Sequence, residues 1–345
     1  MSIALAAYKP SDRINLIQDG VINPLLSFAR STTATYLNYD GLKTTLANAL
    51  RYEYDAIPAY KGLLLEGAAT NLLTYSDGTV AQLSLSGGVT NATSTISSFF
   101  ANSLQFPSSS SSTNYAYKAY TQTNGLIYII STFVKMDDGS TPVASTTNGS
   151  GDFCFVVQGN VAVSTPVVVA VGNGIYRISA YTTATSTGSK NCGVVQYGSQ
   201  SRKGFRVTGL QIEQSSIASS YIPTTTAAVT RSADVLQLTS LGQISATQGA
   251  FVIEHDIPSG QPLLYSGSNK ILDSSGGTKV VIAYDGSGTA ISINGGAVTT
   301  SGTPLTFGST LDIGKSAGAH CFGHIKRMTY YKTRRLNADI VRMSV

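Results

Sequence analysis

The 345-residue chain has no tryptophan, only four glutamates, three histidines and three cysteines. Charged side chains make up 12% of it, about half the roughly 25% usual for a soluble globular protein. Each scarcity excludes something. Low charge beside 42% hydrophobic residues is the reverse of a disordered composition, which pairs few apolar groups with high net charge. A helical bundle or coiled coil needs Ala, Glu, Lys and Leu repeating about every 3.5 residues, whereas Thr, Ser, Val, Tyr and Gly dominate here. No apolar stretch approaches the roughly 18 residues of a membrane span, the best being Val167 to Val171, so no membrane insertion is expected. The start, MSIALAAYKPSDR, lacks both a basic opening and a sufficient apolar stretch, so no cleaved signal is expected. Cys154, Cys192 and Cys321 are odd in number and far apart, which implies no disulfide framework.

The polar surface is filled instead by 44 Ser and 39 Thr, beside 34 Gly and 19 Tyr, a β composition. From about Thr90 onward, apolar or alternating runs of four to eight residues are separated by Gly, Ser, Asn and Pro, which is strand punctuation. Leu126 to Val134, Phe153 to Val157, Val161 to Val171, Gly174 to Tyr181, Gly193 to Tyr197 and Phe205 to Ile212 form one series. Phe251 to Ile257, Gln261 to Tyr265, Val280 to Asp285, Ala290 to Ile293 and His324 to Tyr331 form a second. Asp285-Gly286-Ser287-Gly288 and Asn294-Gly295-Gly296 are hairpin turns, because Asn, Asp and Gly tolerate positive φ. The fold class is therefore all-β: two β-sandwich domains, 76–235 and 236–345, joined near Thr224 to Asp234. Before Ser76 the alternation fades. Leu42 to Leu50 and Gly62 to Asn71 read as short helical or irregular pieces, so 1–75 is expected as an irregular docking region packed on other parts or subunits. The run PSSSSST, Pro107 to Thr113, is expected as a loop.

Three segments carry a resemblance. Phe28 to Ser76 holds FARSTTATYLNYDGL, ALRYEYD and KGLLLEGAATNLLTYS in order, and resembles a module recurrent in tailed-bacteriophage virion proteins. Gly209 to Asp234, GLQIEQSSIASSYIPTTTAAVTRSAD, resembles the closing segment of the carbohydrate-binding-module-like jelly roll that follows that module. Gly323 to Met343, GHIKRMTYYKTRRLNADIVRM, resembles the last strand and short helix of a concanavalin A-like sandwich in the same proteins. The resemblance implies a virion protein of tail-appendage, fibre or capsid-decoration type, with other virion proteins as partners, a homo-oligomeric state (a trimer) and a place on the particle exterior. It leaves the task open, because such folds host many functions.

Site chemistry is sparse. Glycoside hydrolysis needs two carboxylates across a cleft. Of the glutamates, Glu66 and Glu213 lie in the resembling segments, where they are expected to fix turns or pair with arginine. Glu254 and Asp256 alternate on one strand and face one way. His320-Cys321-x-x-His324 gathers three possible metal ligands but lacks the rest of a zinc pattern, and His255 is isolated, so no metal and no cofactor is expected. Asp137-Asp138-Gly139 reads as a turn rather than a calcium loop, and the serines form no nucleophile elbow. No catalytic residue is assigned and the chain is expected to be no enzyme. For saccharide contact, Tyr115, Tyr117 and Tyr120 cluster beside the serine run, and stand in for the missing tryptophan.

Net charge is concentrated at one end. Residues 315–345 carry seven Lys and Arg against one Asp, while the other 314 residues carry 16 basic and 17 acidic groups. Lys326, Arg327, Lys332, Arg334 and Arg335 therefore read as a solvated face or a partner interface, not as a nucleic-acid site, since no stacking aromatics are interleaved in the helix. The expectation is a non-enzymatic virion structural protein that docks through its N-terminal region. The alternative is a receptor-binding protein for host polysaccharide, with a depolymerase third.

Overall fold

The computed structural model describes residues 12–55, 59–78, 80–93, 96–108, 113–146, 150–161, 163–198, 200, 203–276 and 278–345. Residues 1–11 of the expected docking region and 109–112 of the serine run lie outside them. The fold is all-β, with a short helix, Asn337–Met343, after the last strand.

The first sandwich pairs a six-stranded sheet with a five-stranded one. The six-stranded order is Thr90–Thr93, Asn102–Phe106, Phe205–Glu213, Ile127–Met136, Ile175–Thr183 and Val167–Gly172. The five-stranded order is Ala144–Ser145, Phe153–Val157, Gly188–Gln196, Asn114–Gln122 and Ser84–Ser86. Alternation builds the core between them. Phe153, Phe155 and Val157 point inward from one strand, Cys192 and Val194 from its neighbour, and Ile130, Val134, Ile178 and Ala180 from the facing sheet. The expected strand over Val161 to Val171 is shorter, Val167–Gly172, beginning after Pro166, whose missing N–H ends a ladder.

The second sandwich departs from expectation at its N-terminal edge. Its long last strand, Phe322–Tyr331, pairs along one side with Gly249–His255. Along the other side it pairs with Arg13–Gln18 near Tyr331 and with Tyr60–Glu66 near Phe322. The facing sheet contains Leu26–Ala29 against Val235–Leu238. The region up to Asn71 is thus largely strand where described, with 46–51 irregular, and Leu16, Ile17, Leu26, Leu63 and Leu65 stand buried in the same core as Leu236, Phe251, Ile253 and Tyr330. The physical reason is that Leu63, Leu64 and Leu65 are all buried, so the strand is covered on both faces and reads as a continuous apolar run without alternation. Residues 41–45, expected as helical or irregular, form a hairpin with Ala34–Asn38.

The outer face of the larger sheet is closed by the C-terminal helix. Ile340 packs on Ala250, Val281, Ala283 and Ala290, small residues that let the helix approach. The Asp285-Gly286-Ser287-Gly288 turn joins Lys279–Asp285 to Gly288–Ile293 as expected.

Candidate functional site

Two of the three resembling segments, Phe28 to Ser76 and Gly209 to Asp234, meet in one buried ionic cluster. Arg51 donates to Glu66 at 2.7 Å, to the Thr35 carbonyl at 3.1 Å, to the Ser220 hydroxyl at 2.8 Å and to Asp234. Asp234 also accepts from Arg30 at 3.1 Å and from the Glu66 backbone N–H at 2.9 Å. Arg231 closes on Glu66 at 3.4 Å, and Ser220 donates to both Glu66 oxygens at 2.7 Å. Burial alone would raise the Glu66 carboxyl, but Arg231 and Arg51, with Ser220, outweigh it and hold it well below the usual carboxylate range. Glu66 therefore pairs with arginine as expected. Glu213 fixes a turn, accepting from the Ser219 N–H at 3.1 Å and the Ser219 hydroxyl at 2.5 Å.

Beside this cluster a cleft of about 510 Å³ opens between the two sandwiches. Its floor is the outer face of the six-stranded sheet. Cross-strand rows place Phe133, Arg177 and Val169 side by side, then Ser131, Ser179 and Val167, then Ile129 and Tyr181. Its opposite wall comes from the N-terminal hairpin and the second sandwich, with Tyr36, Leu42, Glu53, Lys61, Asp256, Phe322 and His324. Apolar faces next to hydroxyls and a few charges are the usual make-up of a small-molecule site.

At the wall, His324 lies between two carboxylates. Nδ1 is 2.7 Å from Asp256 and Nε2 is 3.0 Å from Glu53, while the His324 backbone N–H donates to Asp256 at 2.5 Å. Glu53 in turn accepts the Leu37 N–H at 2.7 Å. Burial pushes the imidazole pKa down, but the hydrogen bonds to Asp256 and Glu53 outweigh it and raise it, so the cation is favoured. Asp256 is raised by burial and lowered more by His324, with a net shift downward. Glu53 and Asp256 are thus committed to one imidazolium, and the third cleft carboxylate, Glu66, is committed to Arg51 and Arg231.

Several sequence candidates are separated by the fold. Tyr115 and Tyr117 do share the outer face of their strand, with rings stacked at 4.5 Å and 16°. Each then has one ring face occupied by the other. Tyr120 does not join them. Its even position points into the core, 4% exposed, where its hydroxyl bonds Gln122 at 2.5 Å. Glu254 pairs with Lys326 at 3.2 Å, and a bulge after it sends Asp256 to His324, so the two acids do not act from one face. His320, Cys321 and His324 do not converge: the Cys321 thiol is buried and contacts the Leu65 carbonyl at 3.7 Å. Among the described residues no group of three His, Cys, Asp or Glu side chains is placed to hold a metal ion. His255 is buried, with Nδ1 accepting the Ile257 N–H at 3.1 Å, and burial lowers its pKa. Asp138 caps its turn through Ser140 at 2.9 Å and pairs with Lys203 at 3.1 Å.

Four of the five basic C-terminal residues singled out in the sequence find side-chain partners within the chain. Beyond Lys326, Arg327 pairs with Asp19 at 3.0 Å, Arg334 with Asp285 at 2.8 Å, and Arg335 lies 4.3 Å over the Tyr331 ring. Lys332 is partly buried, its backbone N–H bonded to the Asp12 carbonyl at 2.9 Å. The sequence reading missed Arg177, Glu53 and His324 as a group. Arg177 alone left a local signal, a single cation inside the strand GIYRISAY.

No protein-family model matches the chain, nor does any curated protein sequence. Among solved structures it is similar to the CBM22-1 xylan-binding domain of Paenibacillus barcinonensis Xyn10C, at 17% identity over 46% of this chain and 99% of that one, with a TM-score of 0.30. The N-terminal CBM22-1-CBM22-2 tandem domain of the same protein is similar over 82% of this chain and 94% of that one, at 13% identity and a TM-score of 0.30. Likenesses this distant carry no argument about function, which rests on the cleft itself.

Proposed function

We propose that the chain is a non-enzymatic virion protein of a tailed bacteriophage that binds a host-surface saccharide in the cleft between its sandwiches. The observation that carries the binding half is the cleft: about 510 Å³, floored by Val167, Val169 and Tyr181 for sugar C–H faces, with Ser179, Thr165 and Arg177 for hydroxyls. The virion half is supported by the three resembling segments, of which the first two meet in the Arg51–Glu66–Asp234 cluster. A non-catalytic role is supported by Glu53 and Asp256, both bound to His324. The homotrimer reading draws support from the open edge strand Val167–Gly172, whose unpaired backbone edge favours cover by a neighbour.

A glycan array probed with the purified chain is the direct test. Binding that Tyr181→Ala weakens supports the reading; a blank array across host-surface polysaccharides overturns it. Release of reducing sugar from a bound polysaccharide would replace it with a depolymerase. Cryo-electron microscopy of the particle separates attachment from decoration: density at a tail tip or fibre fits saccharide binding, whereas density tiled over the capsid removes it. Sedimentation velocity reads the oligomeric state, and a monomer at micromolar concentration rejects the trimer.

A further inference from the structure

We infer that the cleft selects a saccharide bearing a carboxylate, a uronate-type residue, whose carboxylate docks on Arg177. This rests on the saccharide reading of the cleft and names its ligand class.

Arg177 has no contacting anion among the described residues. Its guanidinium lines the cleft floor, largely buried, held by a 3.1 Å hydrogen bond from Nη2 to the Ser131 hydroxyl and by the Phe133 ring 5.5 Å away. Its Nε is buried without a hydrogen-bond partner, and no ion pair to it occurs among the described residues. Every other cleft charge has a stated occupation or an opposing neighbour. Glu66 is committed to Arg51, Arg231 and Ser220, Glu53 to His324 and the Leu37 N–H, and Asp256 to His324 with Lys61 nearby. Glu213, also electrostatically felt at Arg177, is turned to Ser219 and Gln211. Burial correspondingly disfavours the Arg177 cation, with Glu213, Glu66 and Glu53 compensating only from a distance.

A largely buried guanidinium without a contacting anion is the strongest unmet electrostatic demand in the cleft. A planar carboxylate meets it with paired charge-assisted hydrogen bonds, which a hydroxyl cannot match. The surroundings favour a sugar as the carrier. Ser179 stands two residues along the same strand face and Tyr181 four, while Val169 and Val167 flank Arg177 and Ser179 on the neighbouring strand. A ring lying over those side chains places apolar C–H on Val167 and Tyr181 and hydroxyls on Ser179, with its carboxylate toward Arg177.

The test uses the full chain with trigalacturonate, galactotriose and acetate as probes, followed by calorimetry and saturation-transfer NMR. Trigalacturonate should bind at least about tenfold more tightly than galactotriose. Arg177→Gln should remove that difference, whereas Tyr181→Ala should weaken both sugars alike. Should Arg177→Gln fail to fold, Ser179→Asp keeps Arg177 and sets a like charge beside the carboxylate; it should abolish the preference as well. Equal binding of the two sugars, unchanged in both variants, overturns the carboxylate inference and leaves the saccharide reading standing. Acetate competing as well as trigalacturonate reduces the site to a simple anion site and overturns the inference. If neither sugar binds and the glycan array is blank, both fall together.

Discussion

Asp234 is the residue whose loss should cost most for its size. Its side chain is fully buried, and it accepts from Arg30, from Arg51 and from the Glu66 backbone. Two carboxylates, Asp234 and Glu66, face three arginines in the cluster, Arg30, Arg51 and Arg231. In Asp234→Asn the shape remains and the charge goes, so Glu66 alone opposes three guanidinia, two of which already carry a buried Nε without a partner. Removing one member of a buried ion pair costs about 3–5 kcal/mol, because the remaining charge stays desolvated. That is a large share of the roughly 5–15 kcal/mol by which a domain is stable. Urea unfolding followed by circular dichroism should show the midpoint falling at unchanged slope. The double variant Arg51→Met with Asp234→Leu should lose clearly less than the two single losses added, since no charge is then orphaned. A loss below about 1 kcal/mol in Asp234→Asn, the level of an exposed pair, would refute the claim that the cluster holds the N-terminal strands in place.

Three further outcomes follow from the same geometry. Deleting residues 1–60 removes Leu16, Ile17 and Leu26 from the second core together with Arg30 and Arg51, so the truncated chain should be insoluble or lack a cooperative melt; a soluble truncation with native-like unfolding contradicts the observed pairing. The contribution of the His324 pairs with Asp256 and Glu53 to stability should be greatest between about pH 4.5 and 6.5. His324 has a raised pKa, so its contribution is whole below the free imidazole value of 6.5 and fades as pH rises through the raised one; Glu66 and Asp256 are depressed, so theirs fade as pH falls below the free carboxyl range. Melting temperature against pH reads this, and His324→Gln should flatten the alkaline limb alone. In Gly193→Ala the new Cβ would sit 1.9 Å from the Ala116 carbonyl oxygen in a central strand pair, which should destabilise the first sandwich by about 1–3 kcal/mol in the same urea assay; a neutral result would mean the two strands part more easily than their register allows.

How much of this was legible in the sequence depends on whether the signal is local. Phe153–Val157 alternates against its neighbours, and the Asp285 to Gly288 turn declares its own hairpin, so both were readable in place. Leu63 to Leu65 was not, because a strand buried on both faces shows no period, and its partners Phe322 to Ile325 lie more than 250 residues away. Arg13 and Tyr331 pair across the whole length of the chain, and nothing in either segment names the other. Tyr120 was readable in principle: counting by twos from Tyr115 and Tyr117 puts it on the opposite face. The cleft was beyond reach, since Arg177, Glu53 and His324 come from three distant stretches and become neighbours only when the sandwiches close.

The ionic cluster and the cleft share residues, and this makes one last consequence testable. Glu66 and Ser220 belong to the cluster and also line the cleft, while Glu53 joins the hairpin to His324 on the second sandwich. The floor belongs to the first sandwich and much of the wall to the second, so the site has its shape only while the two are held together. A ligand that needs both walls binds the closed arrangement, and its apparent affinity falls by the fraction of molecules that are open. Asp234 does not line the cleft, yet Asp234→Asn weakens the joint beside it. Trigalacturonate affinity should therefore drop in Asp234→Asn at temperatures where circular dichroism still shows both sandwiches folded, and raising ligand concentration should restore part of the lost melting temperature. Unchanged affinity in a destabilised Asp234→Asn would mean that the floor alone makes the site, with the second sandwich serving only as its support.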